Sequence, residues 1–300
     1  MVLLPNHQSL TVEAIYSTYT NAPPRKHLGA SQIGEPCERK LWYSFRWCKY
    51  PDFEPRMLRL FESGHREESR VIANLRAAGM NVWDRDETGA QLKFDMFSSH
   101  FSGSVDGIIG NVPEAPKTLH ILEIKTANEK SFKTLVKNGV EKSKPVHFAQ
   151  MQTYMGAFCL TRALYVCVNK NSDEIFVSRH HFDKASYGLL ISKAHRIVFS
   201  DEPPEKSDGF TCRWCEYQGI CEKKELPDIT CRTCAHTTPE PDGTWSCARG
   251  KEWPCEEHIF NPCFVDSEPV DADVTEGWIL YADGRRNGPG YLRSEEMSKQ

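Results

Sequence analysis

Two apolar runs, FSGSVDGII (101–109) and LHILEIKT (119–126), joined by the turn-rich NVPEAPK, restrict this chain more than any other stretch. Runs of this length read as strands, and the proline-bearing connection as a hairpin turn. Alternation along a strand puts Glu123 and Lys125 on one face. A hairpin centred between Glu114 and Ala115 sets Asp106 opposite Glu123, so two carboxylates and a lysine converge on one patch of sheet. Neighbouring buried carboxylates repel unless a cation sits between them. An oxygen-rich donor set of this sort suits Mg2+ or Mn2+. Such an ion activates water and offsets charge on a phosphodiester. Lys125 then deprotonates or holds that water, or stabilises the developing charge. The competing reading is an ordinary surface strand with an i,i+2 Glu/Lys pair. Glu-x-Lys also occurs at Glu38 and Glu222, but only the Glu123 copy lies in an apolar strand.

A helical pattern over Pro55–Ala78, stopped by Gly79, carries Leu58, Phe61, His65, Glu68, Ile72 and Leu75 on one seam. His65 and Glu68 thus take positions expected of core residues, while Glu67 points away. Ionisable groups on an apolar stripe need partners, and a metal site supplies them; a satisfied core histidine is the alternative. Further on, His147, Gln150 and Tyr154 share one helix face, either supporting the lysine or forming the polar edge of an amphipathic helix.

Other expected helices are Glu38–Trp47, Ser131–Asn138, His147–Phe158 and Asp183–Phe199. Asn81–Trp83 and Gln91–Met96 read as strands, and ALYVCVNK with IFVSRHHF as a hairpin. A last hairpin is expected at Trp278–Ala282, turning at Asp283-Gly284. The division expected is a lead-in over 1–30, a mixed α/β domain over 31–226 and a cysteine-rich module over 227–300. No apolar run approaches membrane-spanning length, and no secretion signal is read at the N-terminus. A reducing cytoplasm is therefore expected, where twelve cysteines are better metal ligands than disulfide partners. The net charge of −4 conceals two basic clusters, each of net +4, over Arg25–Lys49 and Lys125–Lys144. Arg39, Lys40, Lys130, Lys133 and Lys137 are the candidate DNA contacts, against the alternative of a solvated lysine face.

Cys212-x2-Cys215-x5-Cys221 is a three-thiolate group that needs a fourth. Spacing alone is equally compatible with an iron–sulfur cubane and with tetrahedral zinc. A second set follows at Cys231, Cys234, Cys247, Cys255, His258 and Cys263. Zinc is expected on Cys231, Cys234, Cys247 and Cys255, with His258 as substitute, because so short a module needs a metal for its folding energy. Cys48, Cys159 and Cys167 lie in apolar contexts and read as core residues.

The order Gly64-His65…Glu68, Gly103-x-x-Asp106-Gly107, Glu123-x-Lys125 and Gln150-x-x-x-Tyr154 resembles the RecB-type branch of the PD-(D/E)XK nucleases. That branch includes lambda-type exonucleases and CRISPR-associated iron–sulfur exonucleases. The resemblance covers roughly residues 30–222 and implies a mixed sheet flanked by helices. It implies metal ligands at His65, Asp106, Glu123 and the Ile124 carbonyl, a catalytic Lys125, and a supporting pair in Gln150 and Tyr154. Glu68 matches an acidic position of only some branches, and Val105 stands where the family's name has proline. It also implies a [4Fe–4S] cluster on Cys37, Cys212, Cys215 and Cys221. The cysteine-rich appendage is similar to tails on phage-encoded nucleases, which would place the protein in a host cytoplasm.

The leading expectation is a Mg2+- or Mn2+-dependent DNA exonuclease for recombination or end processing. Its partners would be single- or double-stranded DNA ends and, in a phage setting, a recombination annealing protein. A CRISPR-adaptation nuclease shares every motif. A catalytically idle DNA-binding module has no need of Asp106, Glu123 and Lys125 together. A redox-sensing regulator leaves His65 and Glu68 unexplained.

Overall fold

Hydrophobic alternation and helix-stop signals place most elements within a residue or two of where they fall in the computed structural model. It describes residues 9–207, 210–223, 225–255, 258–259, 261–264, 269–273, 278–281, 286–287 and 291–292. The chain opens with a short helix, α1 (Leu10–Tyr16), inside the segment expected to be irregular, then β1 (Leu28–Gly29) and α2 (Glu38–Phe45). The long α3 (Pro55–Ala77) starts with proline in its first turn, and Gly79 follows it at φ +85°. After β2 (Asn81–Trp83) and β3 (Lys93–Met96), the run 101–109 forms two strands rather than one. These are β4 (Phe101–Ser104) and β5 (Gly107–Gly110), and they belong to different sheets. Next come β6 (His120–Ala127), α4 (Glu129–Ser143), α5 (Pro145–Ala157), β7 (Arg162–Asn169), β8 (Ile175–His181), α6 (Lys184–Phe199) and α7 (Gln218–Lys223).

The central sheet has five strands in the order β2-β5-β6-β7-β8, with β6 and β7 parallel and the other neighbours antiparallel. This is the mixed α/β architecture expected. Strand alternation gives the sheet two apolar faces. Leu122, Ile124, Leu164, Val166 and Val168 pack against Val71 and Ile72 of α3. Ile121, Ala127, Ala163, Tyr165 and Cys167 face the opposite core, built with α2, α4, α5 and α6. A smaller sheet, β1-β4-β3, adds Phe94 and Phe101 to that second core.

The C-terminal segment packs against α2. Phe264 lies on Trp42 and Trp245 on Phe45, with ring centroids 4.8 and 5.3 Å apart. Arg232 is buried, its guanidinium 4.0 Å from the Trp47 ring and 4.5 Å from Trp245. Arg232 donates to the carbonyls of Phe45 and Lys26. Here β9 (Thr237–Pro239) pairs with β10 (Trp245–Cys247). Farther on, 278–281 pairs antiparallel with 286–287, the two sides of the expected last hairpin, whose turn lies outside the described residues. Among the described residues no helix is long and apolar enough to cross a membrane.

Candidate active site

The pairing of β5 with β6 runs Gly107↔Leu122 and Ile108↔Ile121. One step further brings Asp106 opposite Glu123, the register set by the hairpin midpoint. Asp106 stands where the chain leaves the small sheet for the central one, and its Oδ2 accepts the Ile124 N–H at 2.6 Å. Glu123 has no exposed surface. The Lys125 ammonium touches it as an ion pair, yet neither Glu123 oxygen accepts an aligned hydrogen bond. Burial pushes Glu123 well above the usual carboxylate range, with Asp106 adding to the shift and Lys125 opposing it. Burial likewise raises Asp106, to about 6, against Lys125. For Lys125, burial works downward, but Glu123 and Asp106 outweigh it and keep the ammonium charged. A buried carboxylate beside a second carboxylate, with one ammonium against them, is a donor set that fits a hard divalent cation.

The α3 helix approaches from the side. His65 Nδ1 lies 3.6 Å from Glu68 Oε2, and both groups act electrostatically on Asp106. They are not in the core as the seam implied: the His65 side chain is 77% exposed and Glu68 30%. Of the seam, only Ile72 is buried, because the first half of α3 extends past its packing contacts with the sheet. Glu67, read as pointing away, is half-buried and pairs with Arg70. From α5, Gln150 Nε2 donates to Tyr154 Oη at 3.1 Å, and Tyr154 donates to the Ser104 carbonyl at 2.7 Å. This relay braces the end of β4, two residues before Asp106. It also accounts for Gly103, where a Cβ would come within 3.0 Å of the Tyr154 ring and 2.8 Å of Ala30 Cβ.

His147 Nδ1 and Tyr165 Oη are 2.8 Å apart. Burial, Lys125 and Lys144 together lower His147 to about 3, so the imidazole is neutral. Lys144 escaped the sequence reading, and the lysine-rich run 125–144 was the only pointer to it. Of the basic candidates, Lys40 pairs with Glu35, Lys133 with Glu129, and Arg39 donates to the Pro204 carbonyl. Lys130 and Lys137 are exposed.

Cys37, Cys212, Cys215 and Cys221 line one cleft with Arg39, Lys40, Tyr43 and Tyr217. In the C-terminal segment, the metal-binding atoms of Cys231, Cys255 and His258 lie within 4.8 Å of one another. Cys234 is buried and close enough for its charge to act on Cys231. His258, the expected substitute, stands in the group of three, and Cys247 does not. Cys48 and Cys167 are buried, whereas Cys159, expected in the core, is exposed in a left-handed turn after α5 (φ +55°).

No family model matches the chain, and no curated protein matches it. Among solved structures, an alkaline exonuclease from Laribacter hongkongensis, LHK-Exo, is similar with a TM-score of 0.43 and 19% identity, over 62% of this chain and 90% of that one. Its complex with dAMP gives 0.44 and 18% over the same shares. A phage-related exonuclease from Haemophilus somnus 129PT gives 0.39 and 12%, over 61% and 94%.

Proposed function

We propose that this protein is a divalent-metal-dependent deoxyribonuclease of the PD-(D/E)XK type, removing nucleotides from DNA ends during recombination or end processing. The observation that carries this reading is Glu123, fully buried beside Asp106 with the Lys125 ammonium in contact with it. Asp106, Glu123 and the Ile124 carbonyl would hold Mg2+ or Mn2+, with His65 and Glu68 completing the set from α3. The ion would supply Lewis-acid activation of water and neutralise phosphodiester charge. Lys125, held charged in a half-buried site, orients the attacking water and stabilises charge developing on the phosphate. Gln150 and Tyr154 act one layer back, fixing the chain that presents Asp106.

Two further metal centres belong to this reading. Cys37, Cys212, Cys215 and Cys221 suit a [4Fe–4S] cluster. The four thiols line one cleft, where a single cluster would reach all of them. Zinc suits Cys231, Cys255 and His258, with Cys234 as fourth ligand.

End-labelled single- and double-stranded DNA, incubated with anaerobically purified protein with and without Mn2+, tests the activity. Asp106→Ala, Glu123→Ala and Lys125→Ala should each abolish cleavage while gel-shift binding persists. Near-native cleavage by any one of them removes the site assignment.

A further inference from the structure

Just past the end of β6 lies a cleft of about 270 Å3 that the chemistry above does not use. Its walls are Asn128, Lys130, Ser131, Thr134, Ser143 and Lys144. The chain makes this cleft by breaking α4. Gly139 takes φ +74° and ψ 172°, a left-handed conformation that favours glycine, and the residues after it double back. A straight helix would carry residue 144 ~20 Å from residue 131 at ~1.5 Å rise per residue. Instead, Lys144 Nζ lies 2.5 Å from Ser131 Oγ.

The lining holds two ammonium groups, three hydroxyls and an amide, and no carboxylate. Lys133, on the same helix, spends its charge on Glu129. Neither Lys130 nor Lys144 forms an ion pair among the described residues, so both positive charges remain available to an outside anion. Thr134 and Ser143 donate their hydroxyls to the Lys130 and Gly139 carbonyls. That leaves the Ser131 hydroxyl and the Asn128 amide N–H groups beside two uncompensated cations, a donor set that suits phosphate oxygens. The same charge repels a metal ion. The position agrees. Asn128 directly follows β6 and stands three residues beyond Lys125, ~10 Å along a strand. At ~3.4 Å of axial rise per nucleotide, that is about three nucleotides of one strand.

We propose that this cleft binds an internal backbone phosphate of the nucleic-acid strand, within about three nucleotides of the bond to be cleaved. It thereby fixes the path of that strand past Asp106 and Glu123. The inference rests on the nuclease reading, and binding measured without divalent metal separates the two.

Fluorescence anisotropy of a labelled single-stranded oligonucleotide, titrated over salt with the full-length protein, reads the cleft directly. Lys130→Gln alters an exposed side chain and should leave the melting temperature unchanged. It should weaken binding several-fold and flatten the plot of log K against log salt by about 0.7, with roughly twice that in Lys130→Gln/Lys144→Gln. Lys144→Arg should retain most of the affinity. Unchanged affinity and slope in the double variant overturn the cleft. A loss confined to oligonucleotides with a terminal phosphate redirects it to a phosphate monoester and overturns the internal assignment. Wild-type protein that binds through these lysines yet cleaves nothing with Mg2+ or Mn2+ removes the nuclease reading and leaves the phosphate site standing. No affinity for any oligonucleotide removes both.

Discussion

Glu123 is costly where it stands, since a fully buried carboxylate is tolerated only when neutralised by a proton or a cation. Its pKa and that of Asp106 are raised in the fold, so the protonated forms favour folding. That contribution is complete below the unfolded carboxylate pKa of ~4 and fades as pH rises through about 6 and beyond. Metal ligation needs the ionised forms. Saturating Mg2+ or Mn2+ should therefore raise the melting temperature by roughly 5–10 °C at pH 8 and by little at pH 5. Scanning fluorimetry across that range checks it, and equal shifts at both ends would contradict the site. The Asp106–Glu123 pairing was legible in the sequence because one turn fixes one register. The exposure of His65 was not, because periodicity shows which way a side chain points but not what lies in that direction.

Elements show the same limit. The seam of α3 identifies its apolar face, but how far burial runs along that face depends on where the sheet ends, a non-local quantity. Alternation over 101–109 likewise could not reveal a strand that changes sheets at Val105-Asp106, since the side-chain period continues through the break. Two glycines separate packing from propensity. A Cβ on Gly64, inside α3, meets nothing within 4 Å, so Gly64→Ala should stabilise the fold by ~0.5–1 kcal/mol through helix propensity. At Gly34 a Cβ would lie 2.6 Å from Val146 Cα and 2.8 Å from Ala149 Cβ. Backbone must then move, and Gly34→Ala should cost ~1–3 kcal/mol. Urea unfolding of both variants checks the opposite signs, and a shared sign would show the α5 approach to be looser than described.

At the scale of the whole molecule, the first and last thirds of the chain share one core. Trp42, Tyr43 and Phe45 are covered by Tyr217, Trp245 and Phe264, and Arg232 fills the box beside them. A chain ended after residue 226 loses Arg232, Trp245 and Phe264 and exposes these aromatics. Its soluble yield and melting temperature should both fall, and a truncated protein melting like the full chain would contradict this packing. A cluster on Cys37 and Cys212 would close most of the α/β domain into one loop. By analogy with a disulfide, the chain-entropy model gives ~4–5 kcal/mol for a loop of that size. Cys37→Ala should lose iron and the broad visible absorbance together and melt earlier; full iron content with unchanged melting would exclude Cys37.

The covering of α2 by late-arriving residues also has a cost in time. A ribosome adds ~5–20 residues per second, so roughly 10–45 s separate the synthesis of Trp42 from that of Phe264. During that interval Trp42, Tyr43 and Phe45 lack part of their cover, with Tyr217 made first, then Trp245 and last Phe264. The packing around α2 is therefore completed only once Phe264 has been made, and a product released before that point carries the surface partly uncovered into the cell.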